Sequence, residues 1–315
     1  MIVGGAVRAG RPRGPPRAAS RPGRLIRHPP ATKMIDVDAL LNWYEAVRRP
    51  LPWRFTKDPY AILVSEVMLQ QTQAPRVVPY YGRFLAAFPT PAALAAAPPA
   101  EVLAHWSGLG YNRRALALQR AAAAVAEHGW PGGPPATTSR AGALRVLPGV
   151  GPYTAAAIAA FAFDEDVLAV DTNVRRVCER TGGAPPVPPG RGADLNQALM
   201  ELGATVCQAR RADCNRCPLQ AGCAAAQRGG PHIPPRSKAH RTPRPRFEET
   251  DRYLRGRVVA ALLKGAELPA DTDRVLAGLE RDGLVALDPD GSVCLPAGRM
   301  AAADFDLALE DPRGP

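Results

Sequence analysis

From Asp36 to about Arg228 apolar side chains recur at helical spacing between Pro and Gly breaks, and few segments alternate with the period of a strand. "DALLNWYEAV" sets Leu40, Leu41, Tyr44 and Val47 on one face. "PYAILVSEVMLQQTQ", "EVLAHWSGLG", "RRALALQRAAAAVAEHG", "TAAAIAAFAF", "NVRRVCERTG" and "LNQALMELGATVC" follow as further helices, so the pattern predicts an all-α body. Residues 229–250 read as a basic, Pro-rich linker. Beyond it, "RYLRGRVVAALLKG" and "DTDRVLAGLERDG" predict two short helices, and "LVALDPDGSVCLP" a hairpin around a "DPDG" turn. Helix, helix, hairpin over 251–315 outlines a small winged-helix-like module, which suits DNA contact or plain packing equally.

Three places break the apolar pattern in ways that carry chemistry. Ile62, Glu66 and Leu69 fall at i, i+4 and i+7, which puts a carboxyl on an apolar stripe. Desolvation there raises its pKa and suits a general acid, although an Arg neighbour or a place at the stripe's edge would satisfy it equally well. Asp171, in "LAVDTNVRRVCER", stands between an apolar run and a helix, the position of an N-cap. A carboxylate at that junction could also stabilise a developing sugar cation. "LPGVGPYTA", Leu147 to Ala155, predicts a turn at Gly149, Val150 and Gly151 ahead of a helix starting at Pro152. Its outward amides could hold a phosphate without reading sequence.

Charge changes this picture less than its total implies. The chain carries 40 Lys and Arg against 29 Asp and Glu, a net +11, yet residues 1–33 hold eight Lys or Arg and no acid. The remainder therefore carries +3 (11 − 8), a modest case for a polyanionic partner. Residues 1–33 read as a disordered basic tail or as a false start ahead of Met34, with an organellar transit peptide as the alternative. No apolar run approaches the roughly 18 residues of a membrane span, so a cytoplasmic protein is expected.

Cysteines add a metal. Cys207, Cys214, Cys217 and Cys223 form C-x6-C-x2-C-x5-C, with Cys178 and Cys294 outside it. Thiolates so spaced suit tetrahedral zinc or an iron–sulfur cluster. Such a centre would either staple the fold or stiffen a basic loop, carrying Arg210, Arg211 and Arg216, for phosphate contact.

Taken in order, "LPWR", "SEVMLQQTQ", "GLGY", "LPGVGPYTAAAI", "VDTNVRRV", "MELGATVC" and the four cysteines resemble the helix-hairpin-helix DNA glycosylases from about residue 40 to 225. Within them the chain most resembles the A/G-specific adenine DNA glycosylases, and next endonuclease III. The resemblance implies a six-helix barrel with the hairpin over 59–163. It implies an iron–sulfur domain from 34–58 plus 164–228, with Cys207, Cys214, Cys217 and Cys223 holding a [4Fe–4S] cluster. By that likeness Glu66 protonates adenine and Asp171 stabilises the sugar cation, with Tyr153 and Asn173 in support. Trp53, Arg54 and Gln197 match the adenine pocket, and Gln71 a side chain that fills the duplex. Leu147, Gly149, Val150, Gly151 and Arg211 are expected at DNA.

The expected substrate is double-stranded DNA with adenine opposite 8-oxoguanine or guanine, acted on by a monomer. Where endonuclease III-type enzymes have a Schiff-base lysine, this chain has Tyr153, so base removal without strand cleavage is expected. Two departures stand out: Asn112 where the family has a second tyrosine after "GLGY", and only 65 residues after Thr250 where it commonly carries a larger, Nudix-like domain. Competing readings are a mismatch-thymine or oxidised-pyrimidine glycosylase of the same scaffold, or a non-catalytic DNA-scanning protein. Glu66 and the "LPWR" pocket favour adenine over a pyrimidine, and Glu66 together with Asp171 argues against a non-catalytic protein.

Overall fold

The computed structural model describes residues 35–132, 139–231 and 245–296. The expected basic tail lies outside the described residues, as do residues 232–244 of the linker and 297–315 of the C-terminal module. Thirteen helices run through the described residues: α1 Val37–Val47, α2 Pro59–Leu69, α3 Ala74–Ala87, α4 Pro91–Ala96, α5 Pro99–Trp106, α6 Arg113–His128, α7 Arg140–Ala143, α8 Pro152–Phe163, α9 Thr172–Thr181, α10 Gly192–Thr205, α11 Ala224–Gln227, α12 Asp251–Lys264 and α13 Asp273–Arg281. One antiparallel pair, β1 Ala286–Leu287 and β2 Val293–Cys294, follows.

Short polar side chains start these helices where the sequence changes period. Asp36, Asp58, Thr90, Asp171 and Thr250 each accept a backbone N–H from the first turn of α1, α2, α4, α9 and α12. Once started, α2 is buried on every side from Tyr60 to Met68. The stripe read from Ile62, Glu66 and Leu69 is therefore too narrow. Glu66 lies in a helix surrounded by protein, not on one apolar face of a surface helix. Each fully buried Leu, Val, Ile or Met contributes roughly 1.5–3 kcal/mol, so a central α2 is a large share of the core. Ala155, Ala157, Ala159 and Ala160 of α8 are buried too, and side chains this small let α8 lie against α2.

Two buried clusters result. The first gathers α2 to α6, the Leu144–Val150 hairpin and α8 around Phe84, Phe88 and Trp106. The second joins α1, α9 and α10 through Leu40, Tyr44, Val174, Leu199 and Leu202. α10 also touches α8, so the two clusters meet along those helices. Leu254, Val258 and Val259 of α12, with Val275 and Leu279 of α13, belong to the first cluster. The helix–helix–hairpin segment is thus packed into the larger body rather than built on a core of its own.

Candidate active site

Glu66, Tyr153 and Asp171 reach one place from three helices. Glu66 is 4% exposed, and its Oε2 has no hydrogen-bond partner among the described residues. Burial pushes its pKa up to about 7; the Tyr153 hydroxyl, donating to the carboxyl, lowers it, and the nearby Asp171 charge raises it. Tyr153 sits in the first turn of α8, after the N-cap Gly151 and Pro152. Burial, then the charges of Glu66 and Asp171, hold its hydroxyl well above the ordinary tyrosine value, so it stays a neutral donor. Its oxygen lies 4.0 Å from Met200 Sδ on α10.

Asp171 is the N-cap of α9, as its position predicts. Oδ1 accepts from Val174 N at 2.6 Å and Oδ2 from Asn173 Nδ2 at 2.9 Å. Capping and proximity to Glu66 coexist, because the N-cap carboxylate is held at the positive end of α9 while its charge still acts on Glu66. Asn173 in turn accepts from Arg176 Nη2 at 2.7 Å. A Cβ at Gly203 would come 2.6 Å from Asn173 Cβ, so glycine there is what lets α10 lie against α9. Asn196, fully buried, accepts from Ala169 N at 2.7 Å and donates to the Val167 carbonyl at 2.7 Å. It clamps the extended segment that leads to Asp171.

Beside this trio lies a polar network that the sequence reading only half found. Arg54, in a single 3-10 turn over Pro52–Arg54, donates Nη2 to Glu201 Oε2 at 2.7 Å. Arg49 donates Nε to Glu201 Oε1 at 2.7 Å. Burial alone would raise the Glu201 pKa, but hydrogen bonds and charge from Arg49 and Arg54 outweigh it and hold the carboxyl low. Tyr44 donates to Gln197 Oε1, and Arg54 stacks over the Tyr44 ring. The Arg54 guanidinium is therefore committed to Glu201 and Tyr44. Trp53 packs edge-on against Tyr81, 5.5 Å between ring centres. Gln197, Met200 and Glu201 share α10, which joins this network to Tyr153.

The hairpin turns two of its apolar side chains inward. Leu147 and Val150 are 3% and 5% exposed and point into the first cluster, so only backbone there is available to a phosphate. Gly149 takes φ +76°, where a Cβ would also crowd Ala117. Gln70 Nε2 reaches the Gly149 carbonyl at 3.4 Å, tying the hairpin to the loop that holds exposed Gln71 at φ +57°. Arg211 is exposed on the cysteine loop.

Cys207, Cys214, Cys217 and Cys223 line one cavity of about 390 Å³ including its open mouth, while Cys178 and Cys294 do not. No group of three or more His, Cys, Asp or Glu among the described residues has the arrangement of a single-ion site. Arg180 Nη1 lies 3.3 Å from Cys207 Sγ and 2.8 Å from the Gln208 carbonyl. An N–H aimed at sulfur is the kind of contact that stabilises a ligating thiolate. Four thiols around a shared space, with such a donor, fit an iron–sulfur cluster.

Comparison with known proteins adds a family to this geometry. The model for the HhH-GPD superfamily base excision DNA repair protein matches residues 64–202. An adenine DNA glycosylase of Mycobacterium tuberculosis (strain CDC 1551 / Oshkosh) is 41% identical over 293 residues, covering 82% of this chain and 92% of the relative. Another, from Homo sapiens, is 43% identical over 216 residues, covering 60% of this chain and 39% of that protein. Among solved structures, a thermostable thymine-DNA glycosylase is similar at TM-score 0.55 and 29% identity, covering 61% of this chain and 95% of that one. A non-covalent endonuclease III–DNA complex has the same fold at TM-score 0.51 and 22% identity, covering 61% and 94%.

Proposed function

We infer the chemistry of this chain from the family to which it belongs, the adenine DNA glycosylases of the HhH-GPD base excision DNA repair superfamily. It is a DNA repair enzyme that hydrolyses N-glycosyl bonds. We propose that its substrate is adenine opposite 8-oxoguanine or guanine in duplex DNA, and that it removes the base without cutting the strand.

One observation carries the mechanism: a buried carboxyl with a pKa of about 7, one unpartnered oxygen, and the Asp171 carboxylate close by. Glu66 donates its proton to adenine N7 as the N9–C1′ bond breaks and its electron pair leaves with the base. Asp171, fixed by Val174 N and Asn173, offsets the positive charge that grows on the sugar. Tyr153 orients Glu66. Water adds at C1′ and returns a proton to the Glu66 carboxylate, leaving an abasic site. A tyrosine hydroxyl forms no imine with the sugar, so no covalent strand-cleaving intermediate arises.

Trp53, Arg54 and Gln197, with Glu201 and Arg49 behind them, form the wall that receives the base. Hairpin amides at Gly149 and Gly151, together with Arg211, hold phosphates, while the Val150 N–H closes the turn on the Leu147 carbonyl at 3.1 Å; Gln71 fills the stack. Cys207, Cys214, Cys217 and Cys223 would hold a [4Fe–4S] cluster, which organises the loop bearing Arg211. The two clusters of buried side chains support a division into an iron–sulfur domain (34–58 plus 164–228) and a barrel (59–163), and the winged-helix-like segment (251–315) shares the barrel's cluster through α12 and α13.

The test is incubation with duplexes holding A opposite 8-oxoguanine, A opposite guanine and T opposite guanine, followed by alkali. Breaks appearing only after alkali, and only at adenine, support the proposal. Breaks at thymine, no breaks at all, or an adduct trapped in good yield by borohydride would overturn it.

A further inference from the structure

Aromatic and cationic side chains alternate in a ladder from the core to the surface. Arg114 lies over the ring of buried Trp106 at 5.2 Å and over that of Tyr111 at 5.5 Å. Arg252 of α12 stacks on Tyr111 at 3.8 Å and reaches within 5.5 Å of Phe247, a ring 53% exposed. The inner rungs anchor the loops. Arg114 donates to the Val67, Met68 and Gly110 carbonyls and to Thr72 Oγ1, so it binds the loop of Gln71 to the loop of Tyr111. Both residues hold left-handed backbone, φ +57° and +52°, a strained state for a side chain with Cβ.

The outer rungs do something that packing does not require. Stacking uses the faces of the Arg252 guanidinium and leaves its N–H edge, which makes no hydrogen bond or ion pair to any described residue. Phe247 presents its ring to solvent near that edge, and Arg113, 70% exposed at its side chain and 3.4 Å from Asp282, opens α6 just after the Tyr111 loop. An unused guanidinium edge matches a phosphate oxygen, and the exposed Phe247 ring, which meets Tyr253 edge-on at 5.4 Å between centres, matches a base or sugar.

We propose that Phe247 and Arg252, the latter held in place by its stack on Tyr111, form a second DNA-contact surface, through which the C-terminal unit grips the duplex apart from the hairpin amides. The proposal rests on the glycosylase reading for the identity of its partner, a duplex, rather than an acidic protein surface. Binding reads it, whereas excision by the unaltered enzyme reads the functional proposal, so the two fail separately.

The test is fluorescence anisotropy of the full chain on a labelled duplex with a non-cleavable abasic analogue, from about 50 to 200 mM salt. Arg252→Ala should weaken binding about tenfold and reduce the slope of log affinity against log salt by about one. Arg252→Lys should restore the slope but not the full affinity, since an ammonium keeps the charge and loses the planar stack. Phe247→Ala, at an exposed tip whose loss leaves the core intact, should weaken binding about fivefold with the slope unchanged. Wild-type affinity and slope in both alanine variants would overturn the proposal, and so would a loss in Arg252→Ala matched by a lower melting midpoint while Phe247→Ala binds normally.

Discussion

A carboxyl keeps its proton near neutrality only while the protein withholds water and counter-charge from it, and Glu66 meets both conditions inside α2. Its pKa is raised on folding, so the stability it contributes is whole below the usual carboxylate value and is lost as pH climbs from there through about 7. Glu66→Gln removes that penalty and should be more stable than wild type at pH 8, by up to about 3 kcal/mol in chemical denaturation. The same change should lower excision about 100- to 10,000-fold while duplex affinity persists. Asp171 separates its two roles differently. Asparagine caps helices as well as aspartate, so Asp171→Asn should shift the melting midpoint little and nearly abolish turnover, whereas Asp171→Ala should lose about 1 kcal/mol as well. An active Asp171→Asn enzyme would reduce Asp171 to a cap. Both carboxyl groups were legible in the sequence, one as an acid among apolar residues, the other as an acid before a helix. Glu201 carries the same signal in "ALMELGA", yet its partners Arg49 and Arg54 lie some 150 positions away, a pairing that no local pattern encodes.

At the scale of elements, the site depends on how closely α9 and α10 approach. Gly203 sets that distance, since a Cβ there would strike Asn173 Cβ at 2.6 Å. Gly203→Ala should cost about 1–3 kcal/mol by thermal unfolding and slow single-turnover excision, because Asn173 cannot move without releasing Asp171. Unchanged stability would show that the helices separate freely. The hairpin shows where reading by residue type stops. Its glycines and Pro152 announce the turn in the sequence, and the structure has it. Which side chains face DNA depends on the cluster beneath, and that cluster takes Leu147 and Val150 inward while leaving Val146 60% exposed. Likewise a period of 3.6 reports one face of α2, whereas the helix is enclosed by neighbours distant in sequence.

For the whole molecule, the C-terminal helices matter more than a Pro-rich linker leads one to expect. Linker composition marks a boundary in the chain, but burial ignores it: Val258 and Leu279 are fully buried within the same cluster as Trp106. Val258→Asp should therefore unfold the barrel together with α12 in a single transition, at a cost of about 3 kcal/mol or more. Two separate transitions would mark an independent module. Fold class was legible because helical periodicity is local; the seating of this unit was not, because it rests on contacts with α6 and the Tyr111 loop that only folding brings near. The central claim, that a protonated Glu66 between Tyr153 and Asp171 drives loss of adenine, is tested most directly by the pH dependence of single-turnover excision from an A opposite 8-oxoguanine duplex. The rate should be level below about pH 7 and fall about tenfold per unit above it, with Glu66→Gln slow throughout. A rate that stays level or rises to pH 9, or a Glu66→Gln enzyme as fast as wild type, would contradict it.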